Sequence, residues 1–205
     1  MFLNQSVPSP LAEDALRKEP EMPTLIYSMS VSLDGYIAGP DGAIDWAAPD
    51  VELLRFHNQQ TRELTLHLSG RGLYQDMLGW ETAEQTRTDP VELEFARIWT
   101  AIPKVVFSTS LTTVEGNARL AQRDVADEVA ELKNQPGAGI VSVGGARFAG
   151  SLAEKDLIDE YRLFVSPVAL GAGTPYFPPL PKRLDLQLIE TQTFSQVVYL
   201  RYRRG

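Results

Sequence analysis

Cysteine is absent from all 205 residues of this chain. That absence excludes disulfide frameworks, thiolate nucleophiles and cysteine-ligated zinc or iron–sulfur sites. Histidine is almost absent as well, and His57 and His67 are too few for most metal sites. We therefore expect no metal. Since a chain without cysteine suits a reducing compartment, we also expect a cytoplasmic protein.

Basic residues are outnumbered, with 19 Lys and Arg against 27 Asp and Glu and a net charge of −8. No basic run forms a stripe, so nucleic acid and anionic membranes are not expected as partners. Long apolar runs are missing too, and none approaches the ~18 residues of a membrane span. Residues 1–22 mix prolines with charged residues, which predicts a flexible extension and not a signal peptide.

Short apolar runs alternate with helix signals along the rest of the chain. They predict strands over residues 25–33, 64–68, 104–107 and 140–143, and helices over 50–62, 73–78, 90–102, 124–132 and 146–152. In the last third, residues 184–193 and 196–202 indicate a hairpin. We predict one α/β domain over residues 23–205, with a mixed, mostly parallel sheet and an antiparallel C-terminal hairpin.

Aspartates stand where several helices are predicted to begin. Asp50, Asp89 and Asp124 each precede a helical pattern and favour N-caps. After Asp89, Pro90 occupies the first helical position and Glu92 is placed to close a capping box.

Phosphate-compatible residues follow three predicted strands: Gly70-Arg71-Gly72, Ser108-Thr109-Ser110 and Gly144-Gly145-Ala146-Arg147. In an open α/β sheet, ligands bind beyond the carboxyl ends of the strands, where amide N–H groups at helix starts attract anions. A glycine pair after a strand often serves only a tight turn. Their joint occurrence at three strand ends is what favours a functional site.

The common nucleotide-binding fingerprints do not occur. No strand is followed by G-x-G-x-x-G, which disfavours an ordinary Rossmann site. Residues 145–151 have the glycine spacing of a P-loop but lack its lysine, which argues against an ATPase or GTPase. No serine lies in a G-x-S-x-G elbow.

Five segments instead follow one another in an order typical of a known family. They are residues 27–38 (YSMSVSLDGYIA), Gly70-Arg71, 103–108 (PKVVFS), Val143-Gly144-Gly145 and 165–173 (VSPVALGAG). Together they resemble the dihydrofolate reductase-like superfamily, in the branch that shares its fold with the reductase domain of riboflavin biosynthesis. The resemblance covers about residues 23–203. It implies a three-layer α/β/α sandwich that binds NADPH across strand ends.

The resemblance also implies which residues bind the pyrophosphate of NADPH. Gly144 and Gly145 would approach it directly. Ala146 and Arg147 complete the same motif, and we include them among the cofactor-binding residues.

Two further cofactor contacts are implied. Arg71, Ser108 and Thr109 would hold the adenosine 2′-phosphate, because a guanidinium and hydroxyls supply the charge-assisted donors that a phosphomonoester prefers. The backbone groups that would face the nicotinamide carboxamide belong to Ser30, Ile37 and Ala38.

The chain departs from the family pattern at two places. Leu73 stands where the family commonly has threonine, which removes one hydroxyl contact to the cofactor phosphates. The Asp-Pro-x-Leu-Thr-x-Arg segment of riboflavin-pathway reductases is also missing after Gly70-Arg71. These departures weaken the case for the riboflavin-pathway substrate and leave the cofactor prediction in place.

Hydride transfer needs a source for the compensating proton. Asp50 approximates the acidic position of dihydrofolate reductases, and we select it as the catalytic and substrate-binding carboxylate, with a plain N-cap as the competing interpretation. Asp34 is better explained as a turn residue, and Asp45 is a third candidate. Trp46 either stacks on a substrate ring or covers the core.

The leading hypothesis is an NADPH-dependent reductase acting on a small pterin-, pyrimidine- or ribosylaminopyrimidine-type substrate. One alternative is a non-catalytic dinucleotide-binding protein with a partly degenerate site, and another is a structural role after loss of the site. Related reductase domains often form dimers, and we expect a homodimer in which residues 197–202 contribute an apolar surface.

Overall fold

The structure is a computed structural model that describes residues 23–134 and 139–205. Its strands are β1 (Thr24–Ser32), β2 (Tyr36–Ala38), β3 (Leu64–Gly70), β4 (Lys104–Phe107), β5 (Ala118–Leu120), β6 (Ile140–Gly144), β7 (Glu160–Ser166), β8 (Thr174–Pro175), β9 (Leu186–Phe194) and β10 (Val197–Arg204). Its helices are α1 (Val51–Arg62), α2 (Arg71–Met77), α3 (Ala83–Thr86), α4 (Pro90–Ala101), α5 (Val125–Lys133) and α6 (Ala146–Ala153). The extension predicted for residues 1–22 lies outside the described residues, and one domain over 23–205 stays a prediction.

The main sheet has the strand order β5-β4-β3-β6-β1-β7-β10-β9. The strands from β5 to β7 are parallel, and β10 runs antiparallel to both β7 and β9. Strands β2 and β8 form a separate two-stranded sheet. The prediction of a mixed, mostly parallel sheet with an antiparallel C-terminal hairpin is therefore confirmed.

The two faces of this sheet are covered by different helices. On one face, Val129 of α5 and Leu152 of α6 join a core that includes Leu25, Tyr27 and Val141. On the other face, α1 packs on the C-terminal strands through an apolar cluster of Leu53, Phe56, Phe164, Phe194 and Tyr199. Burying side chains of this size contributes roughly 1.5–3 kcal/mol each. The arrangement confirms the three-layer α/β/α sandwich.

The predicted helix starts are confirmed by their hydrogen bonds. The carboxylate of Asp89 accepts from the amide N–H groups of Val91 and Glu92 at 2.8 and 3.1 Å. The expected capping box is wrong, however, because the Glu92 carboxylate pairs with Arg87 at 2.7 Å and does not reach back to the cap. An ion pair with a nearby guanidinium takes the place of the reciprocal bond.

Sequence patterns missed the short elements, namely β2, β5, β8 and α3. Two to four residues are too few to show a clear period. The strand predicted over 64–68 continues to Gly70, and α2 begins at Arg71, two residues before the start predicted for this helix.

Candidate active site

An open cleft of about 450 Å³ lies on the α1 face of the sheet, and we call it the cleft. Its floor is formed by β1, β3 and β6, its walls by α1, α2 and α4, and its rim by residues 44–49. Its lining is mostly apolar and includes Leu73, Met77, Phe95, Trp99 and Phe164. A largely apolar concavity of this size with a few polar groups is typical of a small-molecule site.

The floor carries polar side chains at alternate positions of β1. Ser28 and Ser30 line the cleft, whereas Tyr27 and Val31 point into the core on the opposite face. This alternation follows from the two-residue period of a strand. Serines that interrupt an otherwise apolar strand are thus a sequence signal for the site, and Ser28 joins the predicted residue Ser30 in the lining.

One wall presents polar side chains of α1. His57, Gln60 and Thr61 lie at positions i, i+3 and i+4, so they share one face of the helix, and all three line the cleft. The ring of His57 packs against the sheet, with its centroid 4.3 Å from that of Phe164. Burial lowers the pKa of His57 to about 4, so the imidazole is neutral near pH 7.

A second imidazole lies in the floor. His67 of β3 is buried, and its Nδ1 lies 2.7 Å from the hydroxyl of Ser142 on β6. Burial, with a smaller contribution from the charge of Lys104, lowers the pKa of His67 to about 3. Its Nε2 has no hydrogen-bond partner among the described residues.

A charged network lies beneath Gln60. The guanidinium of Arg162, which is buried on β7, donates to the Gln60 amide oxygen at 3.3 Å and lies 3.5 Å from the Glu160 carboxylate. Glu160 also accepts a bond of 2.9 Å from Arg201, and Arg201 lies 3.4 Å from Glu190. Two arginines and two glutamates therefore balance one another beside the cleft.

At the carboxyl ends of β3 and β4, Arg71, Ser108 and Ser110 form what we call the arginine–serine cluster. The Arg71 guanidinium donates to the Ser110 hydroxyl at 2.9 Å, and the Ser108 hydroxyl lies 3.4 Å from that of Ser110. The structure thus brings together two predicted 2′-phosphate residues, Arg71 and Ser108. It joins them through Ser110, which we had not selected, and leaves Thr109 exposed.

The glycine pair lies next to this cluster. A Cβ on Gly144 would stand 2.1 Å from the Leu73 Cδ2 atom and 2.8 Å from the His67 ring, so a larger residue would force these side chains to move. Gly145 has a φ of +92° that favours glycine. Gly145 begins α6 without a side-chain cap, which leaves the first N–H groups of the helix available. Ala146 is buried behind them, and Arg147 is exposed.

The residues predicted to face nicotinamide are divided between two places. Ser30 and Ile37 line the cleft. Ala38 instead pairs with Thr174 of β8. Its carbonyl oxygen also approaches Gly173 closely, since a Cβ built on that glycine would lie only 2.0 Å from the oxygen. The two-stranded sheet therefore holds Ala38 at the edge of the cleft lining.

The predicted substrate residues lie at the rim. Asp50 is exposed, and its carboxylate accepts from the Leu53 amide at 2.8 Å, which confirms the N-cap. Pro49 lines the cleft, so Asp50 adjoins it without lining it, and its catalytic role stays a prediction. Trp46 is half-buried beside the rim, and its buried Nε1 has no partner among the described residues.

Asp34 has a structural role. Its carboxylate accepts from the Leu170 and Gly171 amides at 3.1 and 2.7 Å and ties the loop before β8 to the turn after β1. Together with the Ser32 hydroxyl, these donors lower the pKa of Asp34 to about 2. This supports the interpretation of Asp34 as a turn residue.

Two classes of site are not found within the described part of the chain. No group of three or more His, Asp or Glu side chains is arranged to hold a metal ion. No helix there is long and apolar enough to cross a lipid bilayer.

Comparison with known families decides the relationship that this fold indicates. The family model of the RibD C-terminal domain matches residues 23–200. The chain belongs to this family. Among its relatives, the uncharacterized protein YyaP of Bacillus subtilis (strain 168) is 33% identical over 181 residues, covering 85% of this chain and 93% of YyaP. The uncharacterized protein YwjB of the same strain is 30% identical, covering 90% and 99%.

Solved structures share the fold of this RibD C-terminal domain. A protein assigned to riboflavin biosynthesis from Shewanella sp. PV-4 superposes with a TM-score of 0.70 at 23% identity, covering 89% of this chain and 99% of that one. Dihydrofolate reductase from Enterococcus faecalis has a TM-score of 0.58 at 14% identity, covering 89% and 96%. The riboflavin biosynthesis reductase of Saccharomyces cerevisiae has a TM-score of 0.59 at 16% identity, covering 94% of each chain. The superfamily branch indicated by the five sequence segments is confirmed.

Proposed function

We propose that this protein is an NADPH-dependent reductase that transfers a hydride to a small pterin-, pyrimidine- or ribosylaminopyrimidine-type substrate. The observation that carries the proposal is the position of the cleft, which includes Gly144 in its lining, beside the arginine–serine cluster at neighbouring strand ends. Fold neighbours add support, since one is a riboflavin biosynthesis reductase and another is a dihydrofolate reductase complexed with NADP(H).

The residues present fit the chemical groups of NADPH. Arg71 offers a guanidinium, and its described partner is a neutral hydroxyl, so its charge remains available to a phosphomonoester. Gly70 lies against Phe148, which belongs to the first turn of α6. A Cβ built on Gly70 would stand 3.5 Å from the Phe148 Cβ atom. That contact places the start of α6 next to Arg71, as a ligand with a pyrophosphate and a further phosphate requires.

When bound, NADPH supplies a hydride to an electrophilic substrate carbon and becomes NADP⁺, while the neighbouring substrate atom takes up a proton. Arg71, Ser108 and Ser110 would hold the 2′-phosphate. The backbone of Ser30 and Ile37 would orient the nicotinamide, and the mostly apolar lining would limit the access of water to the reacting atoms. Asp50, at the rim, is the carboxylate that we propose as the proton source.

Thermal unfolding with NADPH and NADH in parallel tests the cofactor, because a ligand at ~100 times its Kd adds about 2.7 kcal/mol to folding stability. We expect stabilisation by NADPH at concentrations where NADH has little effect. NADPH oxidation, followed at 340 nm with reduced and oxidised pterins and pyrimidines, then tests turnover. If neither NADPH nor NADH changes the thermal stability, the proposal is overturned.

A non-catalytic dinucleotide-binding protein is the second candidate. Leu73 favours it, since this apolar side chain fills the space beside Gly144 where the family commonly has a hydroxyl. NADPH binding without oxidation in the presence of any pterin or pyrimidine would support this candidate. Steady oxidation would exclude it.

A homodimer and a cytoplasmic location remain proposals. Val198 on β10 and Leu188 on the edge strand β9 are exposed, and they offer an apolar contact. Tyr199, which we had expected at this surface, is completely buried and does not contribute. Sedimentation equilibrium tests the dimer, and a single monomeric species would overturn it.

A further inference from the structure

Charge is missing from the lining of the cleft. Among the residues that the structure describes, no Asp, Glu, Lys or Arg lines it. The polar lining consists of serine and threonine hydroxyls, the Gln60 amide and two imidazoles. The imidazoles are neutral near pH 7, because burial lowers the pKa of His57 to about 4 and of His67 to about 3.

The charged groups around the cleft are already paired or lie outside it. Arg162, which contacts the cleft residue Gln60, is balanced by Glu160 at 3.5 Å. Arg71 lies at the strand ends, in the arginine–serine cluster, and not in the lining. At the rim, Asp45 and Asp50 flank the lining residues Ala47 and Pro49 and repel anions that approach.

We propose that the substrate of this cleft is an uncharged, planar heterocycle, and that phosphorylated and carboxylated compounds are rejected. The proposal rests on the proposed function, because it names the substrate class of the same site. A phosphate or carboxylate placed between the α1 and α4 walls, away from the amide groups at the start of α6, would lose its hydration without gaining a cation, which is strongly unfavourable. An uncharged ring meets no such penalty.

The lining also offers what such a ring needs. The side chains of His57, Phe95, Trp99 and Phe164 supply aromatic surface for packing. Ser28 and Ser30 add hydroxyls that can donate or accept along the edge of the ring.

The test measures binding to the full chain by isothermal titration calorimetry without added dinucleotide, because the cationic ring of NADP⁺ would itself attract anions. The probes are two matched pairs, 6-hydroxymethylpterin with pterin-6-carboxylate, and uridine with uridine 5′-monophosphate. We expect the uncharged member of at least one pair to bind at least tenfold more tightly than its charged counterpart. Equal or tighter binding of the charged members would overturn the proposal, and so would failure of all four probes to bind.

Two variants place a cation in the cleft, His57→Arg and Thr61→Lys, and the second covers the case that the first does not fold. In each variant, the ratio of the affinity for the uncharged probe to the affinity for its charged counterpart should fall by about tenfold. Gln59→Arg adds the same charge on the exposed side of α1 and should change neither affinity. Thermal shifts with NADPH alone are recorded in parallel. If NADPH fails to bind, the proposed function fails, whereas normal NADPH binding with a preference for charged probes defeats only the substrate class.

Discussion

The Nδ1 atom of His67 lies 2.7 Å from the hydroxyl oxygen of Ser142, on the neighbouring parallel strand. This bond fixes the ring in the floor of the cleft and leaves the opposite nitrogen, Nε2, directed away from its partner. The surroundings are apolar enough to keep the ring neutral over most of the accessible pH range.

The depressed pKa of His67 predicts a pH-dependent stability. In the unfolded chain His67 takes up a proton near pH 6.5, whereas the folded protein does so only near pH 3. Stability is therefore unaffected above pH 6.5 and falls as the pH drops below it, by about 2 kcal/mol at pH 5 for this residue. Urea unfolding at pH 7 and pH 5 measures the difference.

His67→Gln removes the titrating group and should reduce that pH dependence by about the same amount. Part of it should remain, because burial also lowers the pKa of His57. Equal pH dependence in the wild-type protein and the variant would show that the His67 pKa is not depressed.

Arg71→Ala should weaken NADPH binding by at least tenfold and leave NADH binding nearly unchanged. In the binding mode that we propose, its guanidinium contacts the 2′-phosphate, which only NADPH carries. Fluorescence titration of each dinucleotide measures both affinities. Arg183→Ala, at an exposed arginine in another part of the chain, is the control. A parallel loss of both dinucleotides in Arg71→Ala would argue against a 2′-phosphate contact.

Gly144→Ala should reduce stability by about 1–3 kcal/mol, because its methyl group would overlap Leu73 and stand 2.8 Å from the His67 ring. Gly72→Ala is a matched control in α2, where a Cβ would meet nothing within 4 Å. Replacing a helical glycine there should stabilise the protein by roughly 0.5–1 kcal/mol. Chemical denaturation compares the two, and equal effects would contradict the crowding at Gly144.

Glu160→Gln should destabilise the protein by about 3 kcal/mol, since it leaves the buried Arg162 guanidinium without its counter-charge. Asp185→Asn removes a similar carboxylate from an exposed pair with Arg183 and should change stability by under about 0.5 kcal/mol. Urea midpoints of both variants provide the measurement. A loss below 1 kcal/mol in Glu160→Gln would mean that the remaining network accommodates Arg162.

The candidate site was predictable in part. Arg71 and Gly144 come at the carboxyl ends of strands that show clear apolar runs. Their location on the same side of the sheet, where parallel strands end, could therefore be predicted. The position of His57 in the cleft could not be predicted, because a single histidine on a helix does not indicate which helix face is buried. Its i, i+3, i+4 relationship with Gln60 and Thr61 became meaningful only once α1 was seen to cover the sheet.

By itself the sequence determined where the longer strands and helices form and where the aspartate-capped helices begin. These features depend on side-chain periodicity and on caps such as Asp50 and Asp89, which act over a few neighbouring residues. Only the tertiary structure decided which groups meet. His67 is 75 residues from Ser142, and Gln60 is 102 residues from Arg162. Such contacts depend on strand order and on the packing of α1 across the sheet, and no local pattern specifies either.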